Sequence, residues 1–313
     1  MKFDNRLILV LVAVVGIYAI FLFISDFSII SEKISNFKIN YLPLILFLVS
    51  ASWTPVFIKW HFLLKNCEIH VPLKKSILVF LSGPAFEITP GQIGALVKSQ
   101  ILKTSSNIPR TKTVPIIVVE KVYDLIGAVL ASIIGIVILG MEPHLIVIAI
   151  LVLVTIFFFV YYRPASEIFF KQITKRKFFS KYVENISDFY EIVHKSTNVK
   201  VATICILLAL TYWFMVSAAA YYTLIAFDIN ILDYLKVLAI YATSTLLGAI
   251  SFIPAGIGIT EGSITGLFTL NGIDVSTALI LSVMIRVLTL WYTVGVGFVA
   301  LKFTGGFSFK QDS

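Results

Sequence analysis

The chain has 313 residues, of which 58% are hydrophobic and only 13% are charged, and its mean hydropathy is +0.96. Soluble globular proteins hold about 45–50% apolar and about 25% charged residues, so this composition excludes a disordered chain, a coiled coil and an ordinary cytosolic enzyme. The net charge is +8, which in a membrane protein is the excess expected of loops beside anionic lipid. We therefore predict an all-α polytopic membrane protein that binds no nucleic acid.

Six apolar stretches are long enough to cross a bilayer, which takes roughly 20 residues. They lie at 7–24, 41–60, 113–139, 144–162, 201–226 and 276–303. The first follows a basic N-terminal segment, so it is either a retained first helix, which we favour, or a signal anchor. With short connections, these stretches predict a single membrane domain over residues 1–313.

Two further apolar regions, 76–102 and 236–270, are interrupted by proline and glycine, which break helices. The breaks consist of Pro90, Gly91 and Gly94 in the first region and of Pro254, Gly256 and Gly258 in the second. The arms of the first region would rise only about 21 and 12 Å as helix, against a bilayer core of about 30 Å. This predicts a re-entrant hairpin. The second region is either a re-entrant hairpin or two short spans, because its first arm is nearly long enough to span.

Basic residues lie mainly on one side of the predicted membrane. Seventeen of the 25 Lys and Arg lie in the terminal segments and in every second loop, whereas the alternate loops hold only Lys33 and Lys38. By the positive-inside rule, both termini and the polar linker 163–198 are cytoplasmic in a cell membrane. The linker mixes basic and aromatic residues, which favours an amphipathic helix at the membrane surface; docking of anionic lipid or of a protein partner is the alternative.

The two halves of the chain resemble each other. When Pro90 is aligned with Pro254, Gly94 falls on Gly258, and a basic residue follows deep in an apolar helix at Lys121 and at Arg286. The loop charges give the two halves opposite orientations. This predicts an inverted repeat, with half one at about 41–139 and half two at about 201–303, as in transporters with broken helices at the midplane. Chance similarity of two Pro/Gly clusters is the alternative.

Seven ionisable residues lie in or near the predicted membrane core: Glu87, Lys98, Glu120, Lys121, Asp124, Glu261 and Arg286. A charge at the bilayer centre costs at least about 2.5–3.5 kcal/mol, so such groups face a wet cavity or a charged partner. We predict that they form a cavity for a lipid head group. Structural ion pairing, as of Glu120 with Lys121, is the alternative, and for Lys98 a further alternative is a side chain that reaches the cytoplasmic face. The four histidines lack metal-ligand spacing and no nucleotide-binding loop is present, so we expect neither metal nor cofactor.

Three of these segments carry a family resemblance. Residues 90–98, Pro-Gly-Gln-Ile-Gly-Ala-Leu-Val-Lys, resemble the Pro-Gly-x-x-Gly-Glu-x-x-Arg signature of the lysylphosphatidylglycerol synthase transmembrane-region family, also called flippase-like. Residues 120–124 resemble its Glu-Arg-x-x-Asp helix, and 254–261 its Pro-Gly-Gly-Leu-Gly-x-x-Glu segment. Arg286 lies where the family has an arginine in the last long helix. The resemblance covers most of the chain, from about residue 7 to about residue 303.

The chain departs from the family pattern at four positions. Ala95 replaces a glutamate, Ala255 replaces a glycine, and Lys98 and Lys121 replace arginines. Lysine does not offer the bidentate fork with which arginine binds phosphate, so these changes bear on head-group preference.

The resemblance implies lipid handling. In the best-known members, this membrane domain is joined to a soluble aminoacyltransferase and is taken to move the product lipid across the bilayer. We expect no such enzyme domain here. We predict a non-enzymatic transporter for an anionic or aminoacylated phospholipid or a polyprenyl-linked lipid, with membrane lipids as its partners. The alternatives are a membrane enzyme acting on lipid-linked substrates and a non-transporting partner of a soluble transferase at the cytoplasmic face.

Overall fold

The computed structural model describes residues 36–86, 89, 94–138, 151, 154–155 and 186–304. Within these ranges every regular element is helical and no strand occurs, which confirms the all-α prediction for this part of the chain. Nine helices are named in chain order: α1 (Leu42–Asn66), α2 (Leu73–Ser82), α3 (Val97–Ser106), α4 (Arg110–Ile138), α5 (Ile186–Ser196), α6 (Val199–Ala226), α7 (Tyr234–Ile250), α8 (Ile259–Leu270) and α9 (Val275–Phe303).

Three of the described helices are long and apolar enough to cross a membrane: Ile39–Asn66, Val199–Ala226 and Val275–Phe303. They correspond to the predicted spans 41–60, 201–226 and 276–303. The predicted span 113–139 is one continuous helix of 29 residues, α4, in which Glu120, Lys121 and Asp124 interrupt the apolar sequence. The predicted spans 7–24 and 144–162 lie outside the described residues. The total number of spans and the orientation stay predictions.

Both interrupted regions contain short helices on either side of a break. In the first, α2 runs for 10 residues into a 3-10 turn at Gly83–Phe86, and α3 has 10 residues. In the second, α7 has 17 residues and α8 has 12. At about 1.5 Å per residue, α2, α3 and α8 rise only about 15 to 18 Å each. Such helices fit re-entrant arms, although re-entry and the inverted repeat themselves stay predictions.

Glycines on α4 bring its neighbours into close contact. A Cβ atom at Gly127 would lie 2.7 Å from the Cβ of Ala209 on α6, and one at Gly135 would lie 2.5 Å from the Cα and the Cβ of Ala239 on α7. Small residues allow such approach of helix backbones within membranes. Helix α4 is therefore a central element of the bundle, packed between α6 and α7.

Substituting Gly135→Ala is expected to destabilise the protein by about 1–3 kcal/mol, because the added methyl group meets backbone atoms that cannot rotate away. The measurement is the free energy of unfolding of purified protein in detergent. Gly295→Ala on α9 is the matched control, since a Cβ there meets nothing within 4 Å. Equal losses in the two variants would contradict the close packing of α4 on α7.

The last helix contacts both interrupted regions. A Cβ at Gly297 would lie 2.5 Å from the backbone nitrogen of Ala85, in the 3-10 turn that precedes the first break. The same helix carries Arg286, which donates a hydrogen bond to the carbonyl oxygen of Ala255 in the second break. Helix α9 also contains a π-helical stretch at Val287–Trp291. Its packing therefore connects the two interrupted regions.

The described end of the predicted linker packs on the bundle. On α5, Phe189 and Val193 are buried in the core cluster that includes residues of α1 and α4. The hydroxyl of Tyr123 on α4 donates to the carbonyl oxygen of Ser196 at 2.8 Å. The Cys67 thiol lies 3.3 Å from the Ser196 hydroxyl, and burial raises the pKa of this thiol. The rest of the linker, where surface docking was the alternative, lies outside the described residues.

Candidate functional site

A cavity of about 220 Å³ lies in the interior of the helix bundle. Trp53, Asp124 and Trp213 line it, and each lies near the midpoint of a long helix, α1, α4 and α6 respectively. The predicted site residues that line it are Lys98, Glu120, Lys121, Asp124, Gly256 and Arg286. Both interrupted regions thus contribute to one cavity halfway along the bundle.

The first charged pair joins α3 to α4. Lys98 Nζ donates to Glu120 Oε2, and the two side chains are only 5% and 2% exposed. Lys98 lies in the first turn of α3, so the chain break positions it, and its ammonium lies 4.2 Å from the ring centroid of Trp60. A cation over an aromatic face gains electrostatic energy that grows as water is excluded. The structure pairs Glu120 with Lys98, rather than with its chain neighbour Lys121.

Asp124 holds two further cations beside this pair. Lys59 Nζ donates to Asp124 Oδ1, and Lys121 Nζ lies 3.8 Å from Asp124 Oδ2. Lys59 is fully buried, and the sequence analysis missed it. The predicted span 41–60 ends one residue after Lys59, but α1 continues to Asn66, and the apolar residues after Lys59 are the sequence signal that indicates this.

The second charged pair joins α8 to α9. Arg286 Nε donates to Glu261 Oε1 at 2.8 Å, and both side chains are buried. Glu261 Oε2 accepts the backbone N–H of Gly258 at 2.7 Å, which caps the N-terminus of α8. Arg286 also donates through Nη2 to the carbonyl oxygen of Ala255. One ion pair therefore satisfies two backbone groups of the second break. Glu261 and Gly258 do not line the cavity, whereas Arg286 does.

The backbone of the second break takes left-handed conformations in quick succession. Phe252, Ala255, Gly256 and Gly258 have φ angles of 55°, 53°, 66° and 86°. Gly256 is also required by space, because a Cβ there would lie 2.6 Å from the Thr260 hydroxyl oxygen. Ala255, the position at which the family pattern has glycine, is a residue with a Cβ in a conformation that costs L-residues about 1–2 kcal/mol.

Ala255→Gly is expected to stabilise the protein by about 1 kcal/mol, because the relief of left-handed strain exceeds the extra chain entropy that glycine loses on folding. The thermal unfolding midpoint in detergent measures it. The control is Ala249→Gly, which also lines the cavity but lies within the helical part of α7 and should lower the midpoint. A lower midpoint for Ala255→Gly would show that the break carries no such strain.

The first break is described only in part. The backbone N–H of Gly94 donates to the Thr89 hydroxyl at 2.7 Å, and a Cβ at Gly94 would lie 2.0 Å from the carbonyl oxygen of Phe86. Glycine is therefore sterically required there. Glu87, Pro90 and Gly91 lie outside the described residues, so their predicted places in the site stay predictions.

The cavity also has uncharged polar groups that the sequence analysis did not select. Thr245, Thr289 and Thr293 line it together with the aromatic side chains of Tyr241 and Trp213. The Tyr241 hydroxyl lies 3.3 Å from the Thr289 hydroxyl. Threonine and tyrosine are ordinary in apolar helices, and no sequence signal separated these from the other hydroxyl residues of the chain. In the described ranges, no three His, Cys, Asp or Glu residues gather as a metal-binding group.

Comparison of the sequence with known protein families gives one match that contains the site. The family described as lysylphosphatidylglycerol synthase TM region matches residues 8–297, nearly the whole chain. The chain belongs to this family. The resemblance drawn from the motifs is thereby confirmed, and the three long apolar helices agree with it. No curated protein matches the chain. Membership places the protein among membrane proteins of lipid metabolism and transport.

Proposed function

We propose that this protein moves a phosphate-bearing lipid across the membrane by admitting its head group into the cavity. The observation that carries the proposal is the convergence of Lys98, Lys121 and Arg286 on one interior cavity, with Lys59 joined to it through Asp124. Ionisable groups at membrane depth normally mark the path of a polar substrate. A lipid phosphate is the anion that such cations would meet in a bilayer.

The size of the cavity supports transport of a head group while the acyl chains stay in lipid. About 220 Å³ is smaller than the roughly 300–1,000 Å³ pockets that enclose whole drug-sized ligands. A phosphate crossing the bilayer core alone would lose its hydration, and unpaired ions in an apolar medium are costly. Polar walls at mid-depth lower that cost, and the acyl chains need no enclosure because the bilayer already solvates them.

The pairing of the charges supports a site that opens and closes. Each cation has a carboxylate beside it, as Lys98 has Glu120 and Arg286 has Glu261. These carboxylates offset part of the positive charge of the empty site, and an arriving phosphate would compete with them for the ammonium and guanidinium groups. Movement of the two interrupted regions, as re-entrant arms of an inverted repeat, would then expose the cavity to each leaflet in turn.

The proposed location and orientation in the membrane are based on the charges of the loops and on the family. The protein would lie in the cell membrane with both termini in the cytoplasm, and it would change the position of the lipid but not its covalent structure. A soluble transferase that makes the lipid would be a partner at the cytoplasmic face.

Proteoliposomes test the function directly. The protein is reconstituted with a trace of acyl-labelled phospholipid, and the label in the outer leaflet is bleached by a membrane-impermeant reductant. An active protein increases the bleached fraction beyond the outer-leaflet share, because inner-leaflet lipid becomes accessible. Liposomes without protein are the baseline. Failure to accelerate any anionic, aminoacylated or polyprenyl-linked lipid would refute the proposal.

A further inference from the structure

Two charged side chains in the cavity wall are accessible to a ligand. Lys121 and Asp124 line the cavity, and their side chains are 28% and 27% exposed. The other charged residues that line it in the described part of the chain are each at most 5% exposed: Lys98, Glu120 and Arg286. A head group that enters the cavity would therefore make its charged contacts mainly with Lys121 and Asp124.

A third charged side chain lies behind Asp124. Lys59 Nζ donates to Asp124 Oδ1, but the Lys59 side chain is fully buried and does not line the cavity. A head group cannot reach this ammonium group, so Lys59 acts only through Asp124. Lys121 Nζ lies 3.8 Å from the other carboxylate oxygen, Asp124 Oδ2. These three side chains carry two positive charges and one negative charge, which leaves one positive charge in excess.

This arrangement distinguishes head groups by the sign of their charge. A phosphate is attracted by the excess positive charge, whereas an ammonium group needs a carboxylate. In the described ranges, each carboxylate that lines the cavity already contacts a lysine, since Glu120 has Lys98 and Asp124 has both Lys59 and Lys121. The ammonium group of an aminoacylated lipid would have to displace a lysine or stay unpaired, and an unpaired charge in an apolar interior is costly.

We propose that the site selects anionic head groups over cationic, aminoacylated ones, and that Lys59 is the positioning residue that sets this selection through Asp124. The inference rests on the function proposed above and narrows its substrate. Without the charge of Lys59, the negative charge of Asp124 would balance that of Lys121. Asp124 Oδ1 could then accept an ammonium group from a lipid.

Three labelled lipids test the selection in the same proteoliposomes. Phosphatidylglycerol is anionic, alanyl-phosphatidylglycerol is close to neutral, and lysyl-phosphatidylglycerol is cationic, on one glycerol phosphodiester. Phosphatidylglycerol should cross at least about 10-fold faster than lysyl-phosphatidylglycerol, because repulsion between two unit charges at roughly 12 Å, with an effective dielectric constant of about 20, already gives this factor. Alanyl-phosphatidylglycerol should have an intermediate rate.

Variants of the buried lysine test its part in the selection. Lys59→Gln removes the charge but keeps an N–H group that can donate to Asp124, and the ratio of the phosphatidylglycerol rate to the lysyl-phosphatidylglycerol rate should fall toward 1-fold. Adding Asp124→Asn restores one excess positive charge, at Lys121, and should recover most of the ratio. Lys65→Gln changes an exposed lysine of the same helix, α1, and is the control that should keep the wild-type ratio.

A purely structural role of Lys59 gives a different pattern. It would slow all three lipids alike at an unchanged ratio, and the double variant, which loses the whole ion pair, would be no better than the single one. The thermal midpoint of each variant in detergent is measured first. If Lys59→Gln does not fold, Lys121→Gln removes the same amount of charge at a partly exposed side chain, and the ratio should again fall.

The outcomes separate the two proposals. A wild-type ratio of 1-fold or less would overturn the selection of anionic head groups and leave the transport function standing. An unchanged ratio in folded Lys59→Gln, or in Lys121→Gln where that variant takes its place, would overturn the role of these charges. Acceleration of none of the lipids would refute the transport function, and the selection with it.

Discussion

Replacing both members of the first buried pair, Lys98→Met with Glu120→Leu, is expected to leave the protein folded but to abolish lipid translocation. Buried ion pairs exchanged for apolar residues of similar volume are often neutral or stabilising. Glu120→Gln alone should cost about 3–5 kcal/mol, because it leaves the Lys98 ammonium, only 5% exposed, without its counter-charge. The unfolding free energy in detergent measures the stability of both variants, and the proteoliposome assay measures the translocation rate.

The double variant separates a transport role from a structural one. A pair that merely holds α3 against α4 can be replaced by methionine and leucine, whose contacts would do the same. A pair that binds phosphate cannot be replaced in this way, because the cavity would lose both the cation that binds phosphate and the carboxylate that balances it. Wild-type translocation rates in the folded double variant would therefore show that Lys98 and Glu120 are structural. Lys38, whose ion pair with Asp228 is exposed, provides a control as Lys38→Met, which should change neither stability nor rate appreciably.

Sequence reasoning found those site residues whose chemistry is unusual for their surroundings. Lys98, Glu120 and Arg286 stood out because a charge in an apolar helix is expensive, and they do line the cavity. The same argument applies to Lys59, which lies one residue before the end of the predicted span 41–60 and was not selected. Because α1 continues to Asn66, Lys59 lies within the helix and not at its end.

The sequence alone does not predict which charged side chains pair or which residues line the cavity. Glu120 and Asp124 are four residues apart and so share one helical face, but which lysine each one contacts depends on how the neighbouring helices pack. The positions of Trp213 and Thr245 in the cavity wall depend on how α6 and α7 pack on α4. Gly94 and Gly256 were selected as helix breakers, and the structure adds a second reason for them, since neither site has room for a Cβ.

The second buried pair should respond differently from the first. Glu261→Gln is expected to cost about 3–5 kcal/mol, because it removes the carboxylate charge that the buried Arg286 guanidinium contacts. Here the double variant Glu261→Leu with Arg286→Met should not restore stability. Glu261 accepts the N–H of Gly258, and Arg286 donates to the carbonyl of Ala255, so both backbone groups would lose their partners at about 1–3 kcal/mol each.

Comparing the unfolding free energies of the two double variants shows whether each ion pair stabilises the backbone of its interrupted region. The pair at Lys98 makes its hydrogen bond to a side chain, so apolar residues can substitute for it in the folded state. The pair at Glu261 also holds the backbone between α7 and α8, where Ala255 already has a strained conformation. Recovery of wild-type unfolding free energy by Glu261→Leu with Arg286→Met would contradict this role. Addition of Ala255→Gly to that double variant should recover only about 1 kcal/mol, since glycine relieves the strain but returns neither hydrogen bond.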